Sequence, residues 1–130
     1  MSITRRTYRD YDGYWDAYLK AHSKSGTRVA HYVATCLGLG FGLSGLFTLN
    51  ALLMAIGIIG GYAIAIGSHR YIEHNRSLVH RPFWGAVSEL RMFVLAVSGR
   101  LPAELSRHSV SPAASNVEYV ISKVERWPSR

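Results

Sequence analysis

From Tyr32 to Gly67 the chain runs for 36 residues without one Asp, Glu, Lys or Arg. No other feature limits its fold as strongly. As one straight helix the stretch would extend roughly 54 Å, against a membrane hydrocarbon core of about 30 Å. Folded back near Thr48–Asn50, it gives two arms of 17 or 18 residues, each roughly 26 Å long and just enough to span. Gly38 and Gly42 on one arm, and Gly57 and Gly61 on the other, form small-xxx-small pairs that let two helices approach closely. The expected fold is all-α: a small helical membrane protein with a central two-helix hairpin, transmembrane or re-entrant, flanked by amphipathic helices.

The flanks carry all the charge. Net charge is +7, with 15 Lys and Arg against 8 Asp and Glu; six of the basic residues precede the apolar block and nine follow it. Cytoplasmic flanks of membrane spans are enriched in Lys and Arg, so two basic flanks place both termini in the cytoplasm after an even number of crossings. The arginines are scattered among Trp, Pro and apolar positions and form no dense patch, which argues against nucleic acid as a partner. The first 31 residues are polar and basic, so the block begins too late to be a signal peptide. Cys36 is the only cysteine. That excludes an intrachain disulfide and a thiolate-rich metal site, and leaves imidazole and carboxylate as ligand types.

Asp10 to His22 reads as an amphipathic helix. Tyr11, Tyr14, Trp15, Tyr18, Leu19 and His22 share one face, which suits either a membrane interface or a packed core. Ser23–Thr27 interrupts it, with Gly26 as the expected turn residue. The break matters, because on one continuous helix His22 and His31 would point about 180° apart. Beyond Gly67 the second arm is expected to continue as helix, with His69, Glu73 and Arg76 on one stripe and Asn75 beside them. Pro82 ends that segment. Trp84–Leu101 is a further helix, with Val87, Leu90, Val94, Val97 and Leu101 along it. These observations divide the chain into a membrane domain over 1–101 and a remainder over 102–130. The remainder holds a linker (Leu101–Ser115) and a short amphipathic helix around Val117–Trp127.

His31 and His69 each lie 19 positions from Asn50, so folding the block returns them to one depth at the mouth of the hairpin. Ionisable groups there are expensive to place and usually functional. The expectation is a metal site at a membrane surface. His74, His80 and His108 are expected to be solvated or interfacial. Arg76 and Arg91 are candidates to hold a carboxylate through paired N–H bonds.

The segment YLKAHSKSGTRVAHYVAT, the glycine-rich hairpin, and GSHRYIEHNRSLVHRPFWGAVSELRMF together resemble the Mpo1-like family over about Tyr8 to Leu101. The shared pattern falls on Tyr18, His22 and His31, then on Gly67, His69, Glu73 and Arg76. One departure is Ser77, where the family usually has Pro. The resemblance implies an iron(II)- and O2-dependent dioxygenase that converts a long-chain 2-hydroxy fatty acid to the acid one carbon shorter. It further implies His22, His31 and His69 as metal ligands. Glu73 would be the catalytic carboxylate, as ligand or as partner of a bound imidazole, and Tyr18, Arg76 and Arg91 would contact the lipid substrate. The location would be the inner membrane of a bacterium or the endoplasmic reticulum of a eukaryote, with self-association left open. Two other classes fit the same residues: a non-catalytic membrane protein with structural histidines, and a zinc-dependent membrane hydrolase.

Overall fold

The computed structural model describes residues 8–78 and 80–110, which contain helices and no strand. The helices are α1 (Tyr11–Ala21), α2 (Ser25–Phe47), α3 (Ala51–Ser68), α4 (Pro82–Val97) and α5 (Leu101–Arg107), with a π-helical turn at His69–Glu73. Asp10 starts α1 by accepting the Gly13 N–H at 2.9 Å, satisfying one of the donors a helix start leaves unpaired. The aromatic face of α1 is a core face: Tyr14, Trp15, Tyr18 and Leu19 are buried together with Met92 of α4 and Leu101 of α5.

The break after α1 is shorter than the sequence suggests. Ser25, Gly26 and Thr27 already belong to α2, and only His22–Lys24 lie between the helices. Lys24 offers α2 no side-chain cap of its own. The Glu73 carboxylate, at the far end of the hairpin, does the capping instead. It accepts the Ser23 N–H at 3.0 Å and the Lys24 N–H at 3.1 Å, as well as the hydroxyls of Ser23 and Thr27. An anion at a helix N-terminus is also favoured by the helix dipole. One side chain thus lets α2 begin early and ties the two arms together at their mouth.

The hairpin turns at Thr48–Asn50. The Asn50 side chain accepts the N–H groups of Leu52 and Leu53, both at 3.1 Å, and its own N–H reaches the Gly45 carbonyl at 2.7 Å. Glycine sets the helix spacing. A Cβ on Gly57 would lie 2.7 Å from the Gly42 nitrogen, and one on Gly45 would lie 2.5 Å from the Met54 nitrogen. Gly42 lends its backbone to this contact, but a Cβ of its own would meet open space, so Gly45 is the tighter position on α2. Each arm forms a 23-residue segment, Ser25–Phe47 and Ala51–Glu73, long and apolar enough to cross a membrane. At roughly 34 Å each, they exceed the hydrocarbon core. Their outer faces, including Val33, Phe41, Phe47, Leu52 and Ile59, are exposed, an apolar surface of the kind that marks a membrane or protein contact.

The second arm does not continue as regular helix. The π turn ends on His74, whose φ of 59° is left-handed. Arg76 therefore lies beyond the helix and does not extend the stripe of His69 and Glu73. Pro82 opens α4 rather than closing the segment before it, the position where its missing N–H does no harm. Val87, Leu90, Val94 and Val97 face outward, while Ser88 and Met92 are buried. Gly99, at φ 73°, turns the chain into α5, so the stretch expected as linker begins with a helix whose Leu101 and Glu104 are buried. The helix expected around Val117–Trp127 lies outside the described residues.

Candidate metal centre

Three histidines from three elements converge. His22 caps the C-terminus of α1, His31 lies in the buried part of α2, and His69 opens the π turn. Their Nε2 atoms form a nearly equilateral triangle: His22–His31 3.1 Å, His31–His69 3.2 Å and His69–His22 3.1 Å. The three rings stand at 80–82° to one another. All three side chains are buried.

The protonation of these rings follows from what holds the other nitrogen of each. His22 Nδ1 meets the Tyr18 carbonyl at 2.6 Å. A carbonyl only accepts, so this nitrogen carries the proton. His69 Nδ1 meets the Asn75 side-chain oxygen at 2.8 Å, an orientation set because the Asn75 nitrogen donates to the Ala21 carbonyl at 3.0 Å. His31 Nδ1 meets the Glu89 carboxylate, which also accepts the Tyr18 hydroxyl at 2.6 Å and the Thr35 hydroxyl at 2.7 Å. In its neutral form each ring, with Nδ1 so engaged, turns a bare Nε2 lone pair toward the other two. Burial pushes the His22 imidazolium strongly down, and His31 and His69 push it the same way. Three lone pairs about 3.1 Å apart repel unless a cation sits among them. The point equidistant from the three is about 1.8 Å from each, a spacing that accommodates metal–nitrogen bonds of about 2.0–2.1 Å. The donor set fits a divalent ion.

Around this triangle opens a cavity of about 430 Å³. Its head is lined by the three histidines, Tyr18, Thr35 and Glu89, and its body mainly by small and apolar residues of α2, α3 and α4, with Tyr14, Ser77 and Leu78. Burial alone would raise the Glu89 carboxyl, but the bonds from His31, Tyr18 and Thr35 outweigh it and hold Glu89 below the ordinary carboxylate range. Residues 8–101 match the family model described as 2-hydroxy-palmitic acid dioxygenase Mpo1-like. The chain belongs to the Mpo1-like family. No curated protein and no solved structure matches it.

Within this Mpo1-like domain the structure redistributes the expected roles. It brings His22, His31 and His69 together, and sets Tyr18 against them with its ring 4.1 Å from that of His22. Glu73 is not at the triangle, because its oxygens are taken up by the start of α2. Arg91 turns to the far side of α1, where its guanidinium lies 4.3 Å over the Trp15 ring and 3.5 Å from Glu104. Arg76 is exposed, and neither arginine lines the cavity. His80 is exposed and stacks on Tyr8, whereas His108 is not simply solvated: it meets Asp16 at 2.9 Å and Glu104 at 3.4 Å.

Sequence reasoning overlooked Glu89 and the role of Asn75. Glu89 is the only acidic residue in α4, and a lone carboxylate in an apolar helix is the kind of residue that needs a partner. Asn75 stood in the right cluster, but nothing local told it apart from Glu73 as the partner of His69.

Proposed function

We propose that this protein is an iron(II)- and O2-dependent oxygenase embedded in a membrane, which shortens a long-chain 2-hydroxy fatty acid by one carbon. The observation that carries the reading is the convergence of three bare Nε2 lone pairs at the head of an apolar cavity on a lipid-facing hairpin. The family description supplies the substrate class. The reaction balances without a helper: a 2-hydroxy acid and O2 become the shorter acid, CO2 and water, with all four electrons drawn from the substrate.

His22, His31 and His69 would hold the ion, which when bound supplies Lewis acidity and a site for O2. The Tyr18 carbonyl, Glu89 and Asn75 keep the three rings in the tautomer that presents Nε2. The negative charge of Glu89 would offset the positive charge of the ion, and Thr35 and the Tyr18 hydroxyl keep the carboxylate in place. Tyr18 stacks on His22 and narrows the cavity head against water. Exposed Arg76 is suited to meeting a carboxylate on its way in, whereas Arg91 braces the core.

Purified protein, loaded anaerobically with Fe(II) and then given O2 and 2-hydroxypalmitate, should release CO2 and the 15-carbon acid in equal amounts. Chelation should stop the conversion and Fe(II) restore it. Tightly held zinc with no O2 uptake would overturn this in favour of a hydrolase. Protein that binds no metal would leave three structural histidines.

A further inference from the structure

The cavity has a direction. Glu89 meets Thr35, and Phe93 packs against Tyr32, so α4 runs antiparallel to α2. The residues of α4 before Glu89, namely Pro82, Gly85 and Ala86, therefore lie deeper along the hairpin than the histidines. All three line the cavity. On α3 the lining follows one stripe downward from His69 through Ala65 and Gly61 to Gly57, at the four-residue spacing of one helical face. α4 packs on α1, α2 and α5, while α3 packs on α2. The two long walls of the cavity are thus α3 and α4, with Tyr14, Ser77 and Leu78 completing the lining, and Tyr62, Ile66, Ala86 and Leu90 are exposed along those walls.

We infer that this cavity is an acyl slot, open sideways to the bilayer between α3 and α4, which measures chain length from the three histidines down to Gly57. The inference rests on the oxygenase reading for the head group and adds where the tail lies. From His69 to Gly57 the helix descends roughly 18 Å. An extended chain advances about 1.25 Å per methylene, given carbon–carbon bonds of about 1.5 Å and angles near 111°. On α2 the lining ends at Leu39, roughly 12 Å below His31, so the slot takes a tail of about ten to fourteen carbons beyond the two that would sit at the metal. Ala65 on one wall and Ala86 on the other leave width for an alkyl chain, and the side opening lets a lipid enter without first leaving the membrane.

Two measurements test the slot. In the first, iron-loaded protein in vesicles, kept free of O2, is photolysed with 2-hydroxy acids that carry a diazirine either near the head or at the tail end. The head-proximal probe should mark peptides containing Ala65 or Ala86, and the tail-end probe those containing Leu39, Gly57 or Ile58. Turnover is not needed, so this result stands or falls apart from the oxygenase reading. In the second, Ala65→Phe and Ala86→Phe, which fill the slot from opposite walls, should lower the ratio of 16-carbon to 8-carbon acid bound or converted by about tenfold or more. Ile59→Phe, on the outer face, should leave that ratio unchanged. Tail-end labelling of the turn around Leu49 in place of the slot would overturn the inference. So would an unchanged chain-length ratio in both filled variants while they keep the wild-type melting temperature.

Discussion

His31 occupies the centre of the site. Its Nε2 faces the other two histidines and its Nδ1 faces Glu89. His31→Ala should remove nearly all bound metal, as should His22→Ala and His69→Ala, while His80→Ala should leave it bound; elemental analysis of purified protein reads this directly. Glu89→Gln keeps the shape but lets an amide nitrogen face His31, so metal affinity should fall about 10- to 100-fold. Glu73→Ala should behave differently. It strips the acceptor from two buried groups and two N–H donors at the start of α2, at about 1–3 kcal/mol for each group left unpaired. Its melting temperature should drop sharply, and whatever remains folded should still bind metal at wild-type affinity. On the other side of α1, the hydrogen bond from Trp15, and after it Arg107, Arg91 and His108, hold the Glu104 carboxyl below the ordinary range despite burial. A depressed carboxylate stabilises the fold above its unfolded pKa of about 4.3, and that contribution fades as pH falls through the folded value. Melting temperature should therefore decline in acid, with a shallower decline in Glu104→Gln.

At the scale of elements, the hairpin is a contact between backbones. Gly57 and Gly45 have no room for a Cβ, whereas Gly40 and Gly60 have nothing within 4 Å of where one would sit. Gly57→Ala should force the arms apart and cost about 1–3 kcal/mol. Gly40→Ala should be neutral or stabilising by up to about 1 kcal/mol, since alanine loses less freedom in a helix. Thermal unfolding in one detergent, followed by circular dichroism, compares the two. Equal destabilisation of both would mean that the arms are not in contact along these faces. The π turn matters at the same scale. It brings His69 and Glu73 to the inside together and releases the chain at His74, which lets Asn75 fold back onto His69.

The whole molecule has two regions of different character. An aromatic core is shared by α1, α4 and α5, and beside it stands a hairpin clothed in exposed Leu, Ile, Val and Phe. The site lies where the two meet. Such a surface belongs in lipid, so alkaline carbonate should leave the protein in the membrane pellet; release into the supernatant would contradict the membrane reading. Both flanks are basic, so tags at the two termini should be labelled from the same side. Labelling on opposite sides would leave the protein in the membrane but rule out a hairpin that returns its ends to one face.

The amino-acid sequence by itself determined the hairpin. An uncharged run of 36 residues with a turn former at its middle has no other economical way to satisfy its backbone and keep its side chains out of water. It also determined that His31 and His69 meet, since equal distance from Asn50 is a matter of helical rise alone. Tertiary structure decided which carboxylate serves the histidines. Glu73 is four positions from His69, yet its oxygens accept from four donors at the start of α2. Glu89, 58 positions from His31, took the place beside the rings. Competition for a scarce buried acceptor is settled in three dimensions, and no spacing along the chain records it. Arg91 shows the same limit: its direction depended on Trp15 and Glu104, the latter on a helix whose docking only the folded chain reveals.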